Sequence, residues 1–399
     1  MASTPADELA RRAVSLQRHL ARHDVDAALV TQNADLFYFT GSVQAGVLVV
    51  PADGSPVYGV RRVLERARDE SALARVVPLP SFRGLAALVR DAAGGPVRRV
   101  GLELDVLPVA VRDRFAAALP DAELVDVSSP IRTVRSVKSA YELGKMRGAA
   151  ALAEAMLYAA VRDLREGMTE LEFSGVVEAA ARRAGHQGIV RVRGWNQEAY
   201  YGQLLAGPSG AVSSAPDTPL AGEGPNASVP FGAGHRRIAA GEPVLLDYTG
   251  VLDGYICDQT RTLVIGALTP RMASAHDAAV AVLKTVEAGI RPGVTPEALY
   301  RLAVERAASL GFADAFMGAG PLRARYVGHG VGVELDEWPV LAEGFTDPLV
   351  PGVVIAVEPK MVFPGTGAVG IEDEFAVTAD GVDRITRPEQ RLFTVEVLR

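Results

Sequence analysis

The chain has 399 residues, of which 49% are apolar and 22% charged, and it carries a formal net charge of -7. That length exceeds what one ordinary core fills, so two domains are expected, and the balance is that of a folded chain rather than a disordered one. The acidic surplus argues against a nucleic-acid partner, a single cysteine (Cys257) against a disulfide framework, and the lack of any apolar run of about 18 residues against a membrane span. Residues Met1 to Arg22 alternate charged and apolar positions, unlike a secretion signal, which leads to the expectation of a cytoplasmic protein. Lysine is scarce among the basic residues, and pairs such as Arg11–Arg12 and Arg61–Arg62 read as solvated helix faces.

The first 130 or so residues alternate helices and strands. Asp7 to His23 carries Leu9, Val14, Leu16 and Leu20 at roughly helical spacing. Ala27 to Val30 and Gly46 to Val50 read as strands, the second closed by Pro51-Ala52-Asp53-Gly54. A helix around Leu85 to Ala93 and a strand at Val97 to Leu102 continue the pattern, which gives a small α/β domain. A boundary is expected near Ser129-Pro130, where proline breaks local structure, with domains over 1–133 and 134–399.

A long Ala-rich helix is predicted from Ser139 to Arg162. Beyond it the frame R-x-G-x-T occurs twice, at Arg165 to Thr169 and Arg291 to Thr295, each time opening a helix, one ending near Gly185 and the other near Gly311. Thr169 with Glu172 forms a capping box, and Thr295 is followed by Pro296 at the first helical position. The repetition predicts a duplicated α/β half. Between the halves, Gly207 to Gly234 is rich in Gly, Pro and Ser, and a segment of that length reads as a binding loop.

Glu242 to Gly250 reads as a strand and Tyr255 to Ile265 as its partner, joined by the hairpin signal Asp253-Gly254. With those two residues in the turn, Asp258 falls opposite Thr249, and Asp247 and Asp258 share one face of the sheet. Two carboxylates about 4 Å apart repel by roughly 4 kcal/mol at an effective dielectric near 20, which a cation would relieve. Cys257 faces away from Asp258 by alternation and reads as core. His329 stands among glycines in Gly328-His329-Gly330-Val331-Gly332, where the backbone can approach a site. Glu358 ends the apolar run Val353 to Val357, and Glu372 lies in Val369 to Glu374. Hard oxygen donors with one imidazole suit Mn, Co, Fe or Zn better than Mg or Ca alone.

The order D-x10-D, G-H-G-x-G, V-E-P, I-E-D resembles the pita-bread metallopeptidases, which comprise Xaa-Pro dipeptidases (prolidases), aminopeptidase P and methionine aminopeptidase. Leu36 to Gly41 and Ile131 to Lys138 are similar to the N-terminal domain and the run into the catalytic domain of the prolidase and creatinase branch. The resemblance implies an α/β N-terminal domain, an α+β pita-bread catalytic domain, a homodimer and two divalent metal ions, Mn first, with Co, Zn or Fe as alternatives. Asp247 would bind one ion, Asp258 and Glu372 would bridge both, and His329 and Glu358 would bind the other. Such a pair would activate water and polarise a scissile carbonyl, with Glu358 as the proton shuttle. A small peptide with proline in second position is the implied substrate.

Four positions depart from that pattern. The expected Pro-His before the first aspartate is Pro230-Phe231, the histidine four residues before His329 is Arg325, the one seven residues after it is Asp336, and the arginine two residues before Glu372 is Gly370. Arg325 and Asp336 carry two readings, as grips for a substrate carboxylate and amino terminus or as an ion pair with each other. Trp195, Tyr200 and Tyr201 likewise read either as core or as the wall of a proline pocket, and His235 is expected outside the site. Because the departures fall on substrate-handling positions, a C–N hydrolase or a lyase on the same fold is the alternative, and a non-catalytic binding module a third.

Overall fold

The computed structural model describes residues 4–214 and 218–396, so 215–217 of the expected binding loop lie outside the described residues. The chain divides into two compact units, one spanning Met1–Arg135 with Arg193–Trp195, the other Ser136–Val192 with Asn196–Arg399.

In the first unit a six-stranded sheet is built around Ala27–Val30, which pairs antiparallel with Gly46–Pro51 and parallel with Arg99–Leu102. All four residues of Ala27–Val30 are buried, and a strand covered on both faces needs an unbroken apolar run rather than alternation. Helix Ala6–Arg22 buries Leu9, Leu16 and Leu20, whereas Val14, expected on the same stripe, is 44% exposed. Ser129-Pro130 does not interrupt the chain: helix Ser128–Ser136 runs through it. Pro130 sits in the first turn, where the missing N–H has no helical acceptor to lose.

The second unit repeats one plan. Helix Ala140–Asp163 is followed by Glu170–Ala184, and helix Pro270–Gly289 by Pro296–Ser309. Both sides of the Thr169 and Glu172 capping box are formed, and the Thr295 hydroxyl accepts the Ala298 N–H. Gly167 (φ 84°) and Gly293 (φ 89°), two residues before these caps, hold a left-handed turn that a side chain would strain. Each half then contributes a sheet. The first has Phe393–Val395, Thr260–Ile265, Pro243–Tyr248 and Gly202–Ala206 side by side; the second has Glu337–Ala342, Tyr326–Gly330, Val354–Val357, Asp373–Val377 and Val382–Arg384. A separate hairpin pairs Lys360–Phe363 with Gly367–Gly370. Each half also buries its own apolar cluster, Phe173, Val177, Leu246 and Leu263 in one and Val286, Leu299, Ile355 and Phe375 in the other.

The turn at Asp253 (φ 50°) and Gly254 (φ 85°) forms as expected, and Tyr255 pairs with Leu252. The same register resumes beyond it, with Thr260 opposite Asp247. The two long strands expected here are each broken, at Thr249 and at Asp258-Gln259. The reason is competition for backbone donors. The Thr249 N–H bonds to the Tyr201 carbonyl at 2.8 Å, and the Asp258 N–H bonds to Glu374 Oε1 at 2.7 Å.

Candidate metal centre

The register sets Thr260 directly opposite Asp247, and Asp258 lies in the break just before Thr260. Thr260 then reaches across to Glu372, its hydroxyl 2.7 Å from Oε2 while its carbonyl accepts the Glu372 N–H at 3.1 Å. One ligand atom from each of Asp258, His329 and Glu372 lies within 4.8 Å of the other two, and all three residues are buried. Glu372 Oε1 is enclosed without a hydrogen-bond partner, an arrangement that costs free energy unless a cation completes it. Two carboxylates and one imidazole, with one carboxylate oxygen unpartnered, fit one divalent ion.

His329 lies on Tyr326–Gly330, between Glu337–Ala342 and Val354–Val357. Its Nδ1 stands 3.0 Å from the Gly330 carbonyl, which directs Nε2 toward Asp258 Oδ2 at 4.0 Å and Glu358 Oε1 at 3.6 Å. The flanking glycines serve the neighbouring strands rather than a ligand. A Cβ at Gly328 would fall 2.1 Å from the Ala356 carbonyl oxygen, and one at Gly330 would fall 2.2 Å from that of Trp338.

Glu358 extends the ladder past Val357, its N–H bonded to the Val327 carbonyl at 2.9 Å. Two residues on, and so on the same side, stands a residue that the sequence reading passed over. Lys360 is fully buried, with Nζ 2.7 Å from Glu358 Oε2, 3.2 Å from Glu372 Oε2 and 3.4 Å from Asp247 Oδ2. The five expected ligands are thus brought together in two overlapping sets, Asp258, His329 and Glu372 in one, and Asp247, Glu358 and Glu372 around a lysine in the other. The available signal was a lysine on an apolar strand in a chain whose only other lysines are Lys138, Lys145 and Lys284.

Burial and the neighbouring charges of Glu372 and Asp247 hold the Asp258 carboxyl well above the carboxylate range. Burial pulls His329 down, but Asp336, Glu358 and Glu372 outweigh it and bring the imidazole to about 9. Burial likewise opposes the Lys360 charge, and the carboxylates of Asp247, Glu358 and Glu372 carry it well above its ordinary value. Beneath the site, burial raises Glu374 to about 8, and Arg261 pairs with Asp373 at 2.6 Å with both side chains fully enclosed.

The residues expected at the substrate fall in different settings. Arg325 is exposed, and no ion pair joins it to Asp336 among the described residues, which leaves the pairing reading unsupported. Asp336 Oδ1 is instead 3.6 Å from His329 Nδ1, on a side chain 48% exposed. Its loop is anchored by Glu337, which takes the Val333 N–H at 2.9 Å and pairs with Lys138 at 3.0 Å. Tyr200 and Phe231 are stacked, centroids 6.3 Å apart, and both are half-buried. Trp195 is 89% exposed, so the core reading fails there; Tyr201 packs on His186 at 4.6 Å. His235 is exposed, and Cys257 is buried.

A second residue without a sequence signal secures the Gly207 to Gly234 loop. The buried Glu170 carboxylate accepts the Ala206 N–H at 2.7 Å, the Ser209 hydroxyl at 3.2 Å and the Gly234 N–H at 2.8 Å, which ties both ends of the loop to one helix N-terminus.

A small α/β unit and a duplicated α+β unit with buried carboxylates about one imidazole define a class of metal-dependent hydrolase. The model of metallopeptidase family M24 matches residues 144–379, and that of the creatinase/prolidase N-terminal domain matches 12–137. The chain belongs to metallopeptidase family M24, with a creatinase/prolidase-type domain ahead of the pita-bread catalytic domain. It is 26% identical over 374 residues to the Xaa-Pro dipeptidase of Pyrococcus horikoshii, covering 93% of this chain and 95% of that one. Similarity to the uncharacterized peptidase YqhT of Bacillus subtilis is also 26% over 374 residues, covering 92% and 95%. Among solved structures, an Xaa-Pro dipeptidase from Bacillus anthracis superposes with a TM-score of 0.82 at 23% identity, covering 97% and 100% of the chains. Dipeptidase PepE from Mycobacterium ulcerans gives a TM-score of 0.79 at 25% identity over 99% and 100%. No helix among the described residues is long and apolar enough to cross a membrane.

Proposed function

We propose that this chain is an Xaa-Pro dipeptidase, hydrolysing the bond before proline in dipeptides or short peptides with metal held by Asp258, His329 and Glu372. The observation that carries this reading is the convergence of those three buried ligands within 4.8 Å, in a chain of a metallopeptidase family whose curated relatives include Xaa-Pro dipeptidases. A bound divalent ion would supply an acidified water and polarise the scissile carbonyl. The oxygen-rich donor set favours manganese.

The chain's own residues supply the rest. Glu358, beside His329, takes the proton of the attacking water and returns it to the leaving proline nitrogen. Asp336 places its negative charge beside the nitrogen of His329 that the Gly330 carbonyl holds. The stacked Tyr200 and Phe231 form an apolar wall for the proline ring, and the exposed Arg325 guanidinium binds the substrate carboxylate. The homodimer and the cytoplasmic setting implied by the resemblance belong to the same proposal.

A panel of dipeptides with and without proline in second position, offered to metal-stripped protein resupplied with Mn, tests the reading. Cleavage confined to Xaa-Pro supports it. No cleavage by metal-loaded protein moves the assignment to the C–N hydrolase or lyase alternative.

A further inference from the structure

Lys360 places a cation of the protein's own among the carboxylates expected to bind metal. It belongs to the hairpin Lys360–Phe363 and Gly367–Gly370, in which Lys360 and Gly370 are direct partners. A Cβ at Gly370 would lie 2.6 Å from Lys360 Cγ, so the absent side chain is the room through which the lysine stem passes. Position 370 is also where the family resemblance calls for arginine. The two departures are complementary: the cation is missing from 370 and arrives from 360.

The ammonium is matched to its surroundings. It has three donors, and three carboxylates face it with one oxygen each, Glu358 Oε2 at 2.7 Å, Glu372 Oε2 at 3.2 Å and Asp247 Oδ2 at 3.4 Å. The contacts to Glu358 and Glu372 are hydrogen bonds and the one to Asp247 is an ion pair, so the buried charge is compensated, the condition under which burial of an ion is tolerated. Of these, Asp247 and Glu372 would have to hold one of the two ions of a dinuclear centre, so a second dication would lie against a positive charge in a buried site. The residues present thus fit one divalent ion at Asp258, His329 and Glu372 and do not fit two.

We propose that Lys360 is a built-in replacement for one metal, and that the centre takes a single divalent ion per chain. The Lys360 ammonium neutralises Asp247 and the outer oxygens of Glu358 and Glu372, while the ion is confined to the inner set. Asp247 is then a partner of the lysine rather than a metal ligand. The inference rests on the metallopeptidase reading only for the presence of a metal, and its test uses no substrate.

Metal-stripped full-length protein is equilibrated with excess Mn, freed of unbound ion, and analysed by elemental mass spectrometry and by electron paramagnetic resonance. The expected result is one Mn per chain with the spectrum of an isolated ion, and two per chain in Lys360→Met, with the spectrum of an exchange-coupled pair. Two Mn in the unsubstituted chain would overturn the proposal, as would a variant that stays at one. If Lys360→Met does not fold, the count on the unsubstituted protein decides alone. The dipeptide panel is independent: a mononuclear centre that cleaves no Xaa-Pro bond would refute the substrate and leave the stoichiometry standing.

Discussion

Lys360 and Gly370 face each other across a hairpin at a separation that admits a lysine stem only because residue 370 has no side chain. Gly370→Ala therefore forces the Lys360 stem or the Pro359 backbone to move, Pro359 O lying 3.1 Å from the added Cβ. A loss of about 1–3 kcal/mol is expected from overpacking. In a Lys360→Ala background the same change should cost distinctly less, because the clash has gone. Urea unfolding of the four proteins of this cycle reads the coupling, and additive effects would mean that the two residues do not constrain each other.

Glu170 is the clamp on the loop from Gly207 to Gly234. Glu170→Ala leaves the Ala206 and Gly234 N–H groups and the Ser209 hydroxyl without their acceptor in a buried position. The expected cost is about 2–4 kcal/mol, at the level of several unmet buried donors. Limited proteolysis should show cleavage within the loop at protease concentrations that spare the unsubstituted chain. Equal resistance would show that the loop is held elsewhere.

His276 is buried in helix Pro270–Gly289, with Nε2 unpartnered, and burial lowers its pKa from 6.5 to about 4. The folded chain thus resists a proton that the unfolded chain accepts. Its stability contribution is complete above pH 6.5 and is lost as pH falls toward 4, at most about 3 kcal/mol over that window. His276→Leu should flatten the difference in unfolding free energy between pH 7 and pH 4.5. An unchanged slope would place the acid sensitivity at other groups.

Two site variants should separate binding from chemistry. Glu358→Gln is expected to lower kcat by roughly 100-fold or more, the usual scale for a lost general base. Arg325→Ala should instead raise KM about tenfold or more with little change in kcat, the loss of one charge-assisted contact. The same arginine variant should be indifferent on a substrate whose carboxylate is blocked as an amide. Steady-state kinetics on the free and blocked forms checks both.

Much of this architecture was legible in the residues because it is local. The turn at Asp253-Gly254, the register that sets Thr260 opposite Asp247, and the caps at Thr169 and Thr295 each depend on a few neighbouring side chains. The His329 and Glu372 motifs could be paired only through the family resemblance, since 42 residues of chain and several strands separate positions 329 and 372. What escaped was set by tertiary competition. Thr249 and Asp258 leave their ladder because Tyr201 and Glu374 take their donors, and no periodicity records that. Pro130 reads as a break but occupies a first turn. Lys360 was missed because its strand reads as core, and only the fold shows which charges that core encloses.

The most direct test of the central claim is a titration of metal-stripped protein with Mn, following bound metal and hydrolysis of an Xaa-Pro dipeptide in the same samples. The account predicts no turnover without metal, activity rising in step with bound Mn, and a plateau when one equivalent is held. Cleavage by the metal-free protein, or an inert protein with its centre filled, would contradict it.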